Sequence, residues 1–481
     1  MTDPLVAAAS RAPQLARELG RWQLLAVTVG SVIGASVYLR PALVAQELHR
    51  PAPILAAWVL AGVLSLTGAL TYAQLAALWP KAGGEYVFLR ETLGRPAGFL
   101  FGWMRMTVGV AVAAAQATAV VVFLSDVIPL SGSWAQRAAR PLGIPLSVAF
   151  GPRQLLAVLV IASLAFLNCR GVGKAGRFQT VVTTLKVAAF VGILATLLAP
   201  GHGTTAPHPA PNGATAGVLA WSGALLGTLA AFNGWTLTAM LGDETRDPRR
   251  TVPWALTWGV LIATALCVAA NLAYLAVLPV SAIAGGNSAL HPEAPSVASL
   301  ALTAAVGRDV TSILSAVLAL TVLGALHVQL LAVPRVFFAM AGDGLFPETF
   351  LRLSPTSRAP VRTIGAYAIL ASALAVLGNF DQLANMSGFA YLVFYALSTI
   401  GLLRTLVSRG VPGETGLRRA ERIIFALVFL GGTSWLVVTL TARGRTEIVS
   451  ALVLLAAGLP VYGAIHRFGR QTLRGATRAP P

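Results

Sequence analysis

The stretch GSVIGASVY at residues 30–38 interrupts an apolar segment with two glycines. A second interruption, AAFNGW at residues 230–235, lies about two hundred residues further on, again inside an apolar segment. Each segment is long enough to cross a bilayer. A helix that breaks inside lipid leaves backbone N–H and C=O groups unpaired, unless they line a cavity or meet a ligand. Two such breaks in corresponding positions indicate the binding site of a membrane transporter.

The composition is typical of a protein embedded in a membrane along its whole length. The chain has 481 residues, of which 56% are hydrophobic and only 11% are charged, and its mean hydropathy is +0.75. A soluble domain carries about 25% charged residues. About twelve segments are long and apolar enough to span the bilayer, and no polar block separates them. We therefore predict an all-α membrane protein with about twelve transmembrane helices.

The basic residues are unevenly distributed. The net charge is +18, which in a soluble protein would favour binding to nucleic acid. Here most Lys and Arg residues fall on alternate loops, and cytoplasmic loops are the ones that collect them. Residues 1–20 lack the compact apolar core of a signal peptide. We therefore predict a multi-pass protein of the plasma (inner) membrane with both termini in the cytoplasm and no nucleic-acid partner.

Two linkers suggest how the chain is organised. Residues 200–216 contain no Lys or Arg and are rich in Gly, Pro, Thr and His, which predicts an outer loop between one set of five helices and the next. Residues 296–306 predict a helix within a second outer loop. The predicted units are a cytoplasmic amino-terminal segment at 1–20, a first five-helix repeat at 21–200, a second five-helix repeat of inverted topology at 216–404, two additional helices at 405–466, and a cytoplasmic tail at 467–481.

Four motifs, in this order, resemble those of the amino acid–polyamine–organocation (APC) transporters, and among them the L-type and bacterial amino acid permeases. They are GSVIGASVYLRP at 30–41, GALTYAQLAALWPKAGGEY at 68–86, NGWTLTAMLGDETRDPRRTVP at 233–253 and RVFFAMAGDG at 335–344. The resemblance covers residues 21–404. It implies a LeuT-type five-plus-five inverted repeat in which the first and sixth helices are broken and the substrate lies between them.

The resemblance implies secondary-active transport of amino acids by alternating access, with no covalent chemistry. We expect no cofactor and no metal, and the chain has no phosphate-binding loop for ATP coupling. The expected partners are a small amino acid, the lipid bilayer and, for a symporter, protons. An enzyme is the least favoured alternative, because no acid–base or metal-binding cluster is present in the sequence.

An α-amino acid needs partners for its carboxylate and its ammonium group. The half-helix that begins after Gly34 offers the N–H groups of Ala35 and Ser36 to an anion, and carbonyls released at both breaks suit the ammonium. Phe232 is expected to replace an aromatic residue of the family that aligns with Ala230. The resemblance thus implies a substrate site at Val32, Ile33, Gly34, Ala35, Ser36, Ala230, Ala231, Phe232 and Asn233. The alternative is that the glycines serve close helix packing.

Two ionisable side chains lie inside predicted helices. An ammonium group at membrane depth indicates a function by default, and the resemblance places Lys186 where sodium-coupled relatives bind an ion. We therefore predict sodium-independent transport, by proton symport or by exchange; the alternative is a lysine that reaches the interface. His327 aligns with a position that faces the substrate side chain, although a lone histidine on an apolar helix is more often a packing residue.

Charged residues near the inner ends of the helices give two further expectations. We expect the long stem of Arg105 to carry its charge to the inner interface. Asp243, Glu244 and Asp247 predict an ion network with the loop at residues 81–95, and the alternative is a solvated loop.

The absence of Asp and Glu from the middle of the predicted spans near the breaks favours neutral amino acids as substrates. The alternatives are a carrier of polyamines or cationic amino acids on the same fold, a receptor that binds without transporting, and a channel. The resemblance also bears on partners, because animal L-type relatives link to an accessory subunit through an outer-loop cysteine. Residues 131–153 contain no cysteine, so we expect no disulfide-linked accessory subunit.

Overall fold

The computed structural model describes residues 13–125, 130, 134–139, 146–200, 217–288, 290–291, 294–307, 311–377, 380–408, 416–442 and 446–476. Residues 201–216 of the predicted outer loop, parts of 131–153 and both ends of the chain lie outside the described residues.

The regular secondary structure of the described residues is helical apart from one antiparallel ribbon of two strands, β1 (Ala135–Ala139) and β2 (Leu146–Phe150). Short 3-10 helices lie at Trp235–Met240, Gly242–Glu244 and Glu348–Leu351. The α-helices are α1 (Arg21–Val32), α2 (Ser36–Leu48), α3 (Pro51–Leu78), α4 (Glu85–Leu93), α5 (Arg95–Thr107), α6 (Val110–Ser125), α7 (Pro152–Cys169), α8 (Val172–Leu197), α9 (Val218–Phe232), α10 (Pro248–Val277), α11 (Val280–Ala284), α12 (Val297–Val306), α13 (Thr311–Ala332), α14 (Pro334–Gly342), α15 (Val361–Leu377), α16 (Phe380–Ser408), α17 (Gly416–Ala442) and α18 (Thr446–Ala476).

The helices confirm a multi-pass membrane fold. In the described ranges, eight helical segments are long and apolar enough to cross a membrane, and α1 with α2 forms one further span that bends by 40°. Shorter apolar helices lie at Val218–Phe232, Val297–Val306, Val361–Leu377 and Val449–Ile465. The predicted outer-loop helix is present as α12. The count of twelve spans, the inverted repeat and the division into five units stay predictions.

Small residues bring the helices around α1 close together. An added Cβ at Gly259 of α10 would lie 2.4 Å from Thr28 Cγ2, and one at Gly30 would lie 2.2 Å from Gln179 Nε2 of α8. Real Cβ atoms do not approach neighbours this closely, so neither position accommodates a larger residue without a shift. Gly30 therefore serves close helix packing, which is the alternative that the sequence left open for the glycines.

Candidate functional site

The first break separates α1, which ends at Val32, from α2, which begins at Ser36. The N–H of Gly34 donates to the carbonyl of Val32 at 2.9 Å, so the chain turns tightly instead of continuing as an α-helix. Within the part of the chain that the structure describes, the N–H groups of Ala35 and Ser36 donate to no acceptor. Two donors at the start of a half-helix are thus left for an anion.

The second break follows α9, which ends at Phe232. Gly234 has a φ of +127°, a conformation that residues with a side chain rarely adopt. An added Cβ at Gly234 would lie 2.8 Å from the carbonyl oxygen of Ser31, so the two breaks are in direct contact. Among the described residues, no donor reaches the carbonyls of Ala230 and Ala231. These oxygens are available to an ammonium group.

A pocket lies between the two breaks. Of the residues predicted for the substrate site, it is lined by Val32, Gly34, Ala35, Ser36, Ala230, Ala231 and Asn233. Ile33 and Phe232 are buried outside the lining, and the ring of Phe232 packs 6.3 Å from that of Trp58. Several further lining residues were not predicted from the sequence, and they come from α2, α3, α13 and α17: Arg40, Leu64, Ser65, Gln329, Phe429 and Thr433.

The lining carries no carboxylate within the described residues, and its one basic side chain there is that of Arg40. The amide oxygen Oε1 of Gln116, on α6, is buried and accepts no hydrogen bond from the described residues. A buried polar atom without a partner is costly. The pocket therefore suits a ligand that brings its own hydrogen-bond donor.

Arg105 lies behind one wall of this pocket, and the prediction that it reaches the inner interface is wrong. Its side chain is 2% exposed. It donates to the hydroxyl of Tyr391 and, at 3.0 Å, to Oε1 of Gln329, and its guanidinium lies 5.3 Å from the centre of the Tyr391 ring. Both acceptors line the pocket. Because Tyr391 and Gln329 hold the guanidinium inside the helix bundle, its positive charge lies directly behind the pocket wall.

Lys186 is fully buried, so it does not reach an interface. Its Nζ donates to the carbonyls of Gly30 at 2.5 Å, Ile33 at 2.8 Å and Thr321 at 3.3 Å. No acidic side chain in the described ranges forms an ion pair with it. Two of the three acceptors belong to the end of α1 and to the break, so the ammonium compensates carbonyls that the helix releases.

His327 lies on α13 outside the pocket lining and is fully buried. Its Nδ1 is 2.8 Å from Oε1 of Gln179, and its ring packs 4.8 Å from that of Phe178. Gln179 in turn donates to Thr183, one turn from Lys186. His327 thus packs between α8 and α13 and does not line the pocket, which agrees with the packing alternative.

The acidic residues after the second break make separate contacts with neighbouring elements. Glu244 forms a buried bidentate ion pair with Arg335 of α14, at 2.7 Å and 2.9 Å. The carboxylate of Asp243 accepts the N–H of Ala82 at 2.9 Å, whereas Asp247 lies 3.9 Å from the exposed Arg250. Among the described residues, Asp243 alone of the three contacts the loop at 81–95, and it does so through a backbone N–H and not an ion pair. The ion pair of Glu244 lies outside that loop.

The amino-terminal segment contacts the chain around Glu244. The N–H groups of Glu18 and Leu19 donate to the carbonyl of Glu244 at 3.0 and 2.9 Å, and Arg246 N–H donates back to Leu19 at 2.9 Å. Leu15 packs in a small buried cluster with Ala82 and Phe338. These contacts fix the amino-terminal segment against Glu244 and α14, on the side that the charge pattern predicts to be cytoplasmic.

Glu85 is a buried carboxyl to which the sequence assigned no role. It lies at the start of α4, outside the spans, and accepts hydrogen bonds from the hydroxyls of Tyr72 and, at 3.4 Å, Ser398. Burial raises the pKa of Glu85 to about 7, although the hydrogen bond from Tyr72 acts in the opposite direction. The ring of Tyr72 meets that of Trp235 edge-on at 5.0 Å. The carboxyl is therefore one aromatic contact away from the residue that follows the second break.

The fold and the site define a multi-pass membrane transporter with a pocket between two broken helices. A sequence model of the amino acid permease family matches residues 19–461, and the chain belongs to this family, which is part of the APC superfamily. The match confirms the resemblance found in the motifs. It also confirms that the protein is an amino acid transporter and not an enzyme.

Curated relatives match most of the chain. The serine/threonine exchanger SteT of Bacillus subtilis is 30% identical over 454 residues, which cover 93% of this chain and 96% of that protein. The cationic amino acid transporter 4, vacuolar, of Arabidopsis thaliana is 29% identical over 415 residues, 83% of this chain and 65% of that protein. The branched-chain amino acid permease BcaP of Bacillus subtilis is 26% identical over 487 residues, 95% of each.

The contact between the breaks predicts unequal tolerance of alanine at the two glycines. Gly234→Ala places a Cβ against Ser31 and forces a residue with a side chain to a positive φ, at a cost of about 1–3 kcal/mol from the backbone alone. The melting temperature in detergent should fall by several degrees. Gly34→Ala is the matched control, because its Cβ would lie 3.5 Å from Ala325 Cβ, an ordinary contact. Equal melting temperatures for the two variants would contradict the geometry.

The buried ion pair predicts that substitutions of Glu244 and Arg335 have strongly non-additive effects on stability. Replacing either partner alone with Met strands a buried charge and should cost about 3–5 kcal/mol of stability. Replacing both with Met removes both charges, so the double variant should be much more stable than the sum of the single losses implies. A double-mutant cycle on denaturant unfolding in detergent measures this, and additive losses would count against a coupled pair.

Proposed function

We propose that the protein transports neutral amino acids across the cell membrane by alternating access, without sodium, as a proton symporter or an exchanger. One observation carries the proposal. Ala35, Ser36, Ala230 and Ala231 line one pocket, and among the described residues the N–H groups of the first two and the carbonyls of the last two have no partner, which matches the carboxylate and the ammonium of an α-amino acid. The contacts between the amino-terminal segment and Glu244 then lie on the cytoplasmic side, in the orientation that the positive-inside rule favours.

The charges around the pocket support a neutral side chain. Arg40 lines the pocket and Arg105 stands behind Tyr391 and Gln329, whereas the described lining has no carboxylate. A cationic side chain would leave water for a site whose described lining offers it no carboxylate, which is costly. One relative is named for cationic amino acids, so a cationic or polyamine substrate is the second candidate. A receptor that binds without transporting is a third.

The position of Lys186 supports sodium independence. Three carbonyl oxygens around one point form the kind of oxygen cage that hard metal cations prefer. Here the Nζ of Lys186 occupies that point, with Gly30 and Ile33 as its nearer acceptors. A cation attached to the chain can hold the break together in the absence of a dissolved ion.

The two cysteines of the chain, Cys169 and Cys267, are free, and we propose that the transporter needs no disulfide-linked accessory subunit.

The proposed substrate class predicts the outcome of an uptake panel. Purified protein in proteoliposomes should take up one or more neutral amino acids, and arginine, lysine and putrescine should compete poorly. Replacing sodium with choline should leave uptake unchanged. A proton gradient should drive net uptake if the protein is a symporter, and an internal load of the same amino acid should be required if it is an exchanger. Preferred uptake of arginine or putrescine would overturn the neutral assignment, and binding without flux would indicate a receptor.

Replacing Lys186 with an uncharged residue should strongly reduce transport. Lys186→Met leaves the carbonyls of Gly30 and Ile33 unpaired in a buried site, so uptake should fall by about tenfold or more. Lys174→Met, on the exposed face of the same helix, is the matched control and should keep normal uptake. Full uptake by Lys186→Met with an unchanged pH profile would show that the lysine has no role in transport.

A further inference from the structure

The pocket does not end at the two breaks. Its lining also includes Leu64 and Ser65 of α3, Leu226 of α9, and Phe429 and Thr433 of α17, and we call the part of the pocket beside these five residues the side chamber. Ser36 and Ala231 line the same pocket. α17 belongs to the two helices that follow the ten of the predicted repeat, and the motifs of the family do not extend to it.

Phe429 holds its place in the wall of the side chamber by contacts on several sides. Its ring lies 6.3 Å from that of Trp235 and 5.9 Å from that of Tyr395. On α3, an added Cβ at Gly68 would lie 2.5 Å from Phe429 Cε2, so only glycine leaves room for the ring. The hydroxyl of Tyr395 donates to Oδ1 of Asn233 at 3.1 Å. The wall built by α17 is therefore tied directly to the second break.

The chemistry of the side chamber is apolar with two hydroxyls. Ser65 is 2% exposed and Thr433 is 1% exposed. The hydroxyl of Thr433 donates to the carbonyls of its own helix, at 2.8 Å to Phe429 and 3.1 Å to Leu430. None of the five residues that line the side chamber is charged. A space of this kind accepts an aliphatic or hydroxyl-bearing side chain and offers no partner to a charged one.

We propose that the side chamber is the side-chain subsite of the transporter, and that Phe429 and Thr433 of α17 set the largest neutral amino acid that it accepts. The inference rests on the proposed function, because it assumes that the α-carboxylate and α-ammonium bind at the two breaks. The substrate side chain then extends between α3 and α17. A helix outside the predicted ten-helix repeat thereby determines specificity, whereas the repeat determines recognition of the amino acid backbone.

The test fills the chamber from α17. Thr433→Phe, and Thr433→Leu as a milder change, should lower kcat/KM for the largest amino acid that the wild-type protein transports by about tenfold or more, with the smaller loss for Leu. The value for the smallest transported amino acid should stay within about threefold. Thr433→Val keeps the side-chain volume and should leave the ratio of the two values unchanged.

A matched control exists on the same helix. Thr439 also donates to carbonyls of its own helix, at 2.9 Å to Trp435 and 3.2 Å to Leu436, but it does not line the pocket. Thr439→Phe should therefore leave the ratio at the wild-type value. Equal losses for large and small substrates in Thr433→Phe and Thr433→Leu, or no change in either, would overturn the subsite. If the wild-type protein takes up no neutral amino acid at all, the proposed function fails first, and the two failures are thus distinct.

Discussion

Backbone groups released at the two helix breaks must find partners in a solvent that offers none. The structure satisfies them in two ways. The carbonyls of Gly30 and Ile33 accept hydrogen bonds from Lys186, a cation that belongs to the chain. The N–H groups of Ala35 and Ser36 line the pocket instead and keep no partner in the described part of the chain. One side of the break is thus compensated permanently, and the other is compensated only when a ligand binds.

Direct contacts also join the two breaks to each other. Gly234 packs its backbone against Ser31, and the hydroxyls of Thr28 and Thr238 lie 2.8 Å apart. The chain after the second break is therefore fixed to α1, and the amino-terminal segment pairs with it through Leu19 and Glu244. A movement of α14 away from the chain after the second break would separate the buried ion pair of Glu244 and Arg335. Water that reached the pair would solvate both charges, which would offset part of the cost of separating them.

The sequence predicted the membrane class, the family and the position of both breaks, because glycine placement and hydropathy are local signals. It predicted less about long side chains, whose partners are set by packing between distant helices. Arg105 was expected at an interface, yet Tyr391 and Gln329, more than two hundred residues away, hold it inside the bundle. Glu244 was expected to pair with a neighbouring loop, and its partner Arg335 follows α13. No periodicity in the sequence indicated that α17 lines the pocket, since a lipid-facing helix and a pocket-lining helix are equally apolar.

Arg105 also shows that the character of the pocket is set by a residue that does not line it. The guanidinium has only donors, so Tyr391 and Gln329 must each use an acceptor to hold it. Tyr391 retains its hydroxyl proton as a donor, and Gln329 retains its amide N–H groups. The wall that these two residues form is therefore biased toward donating hydrogen bonds, which suits a carbonyl or hydroxyl oxygen and opposes an ammonium group. The absence of acidic residues from the middle of the predicted spans led to the proposal of neutral substrates, and the position of the buried cation supports the same proposal.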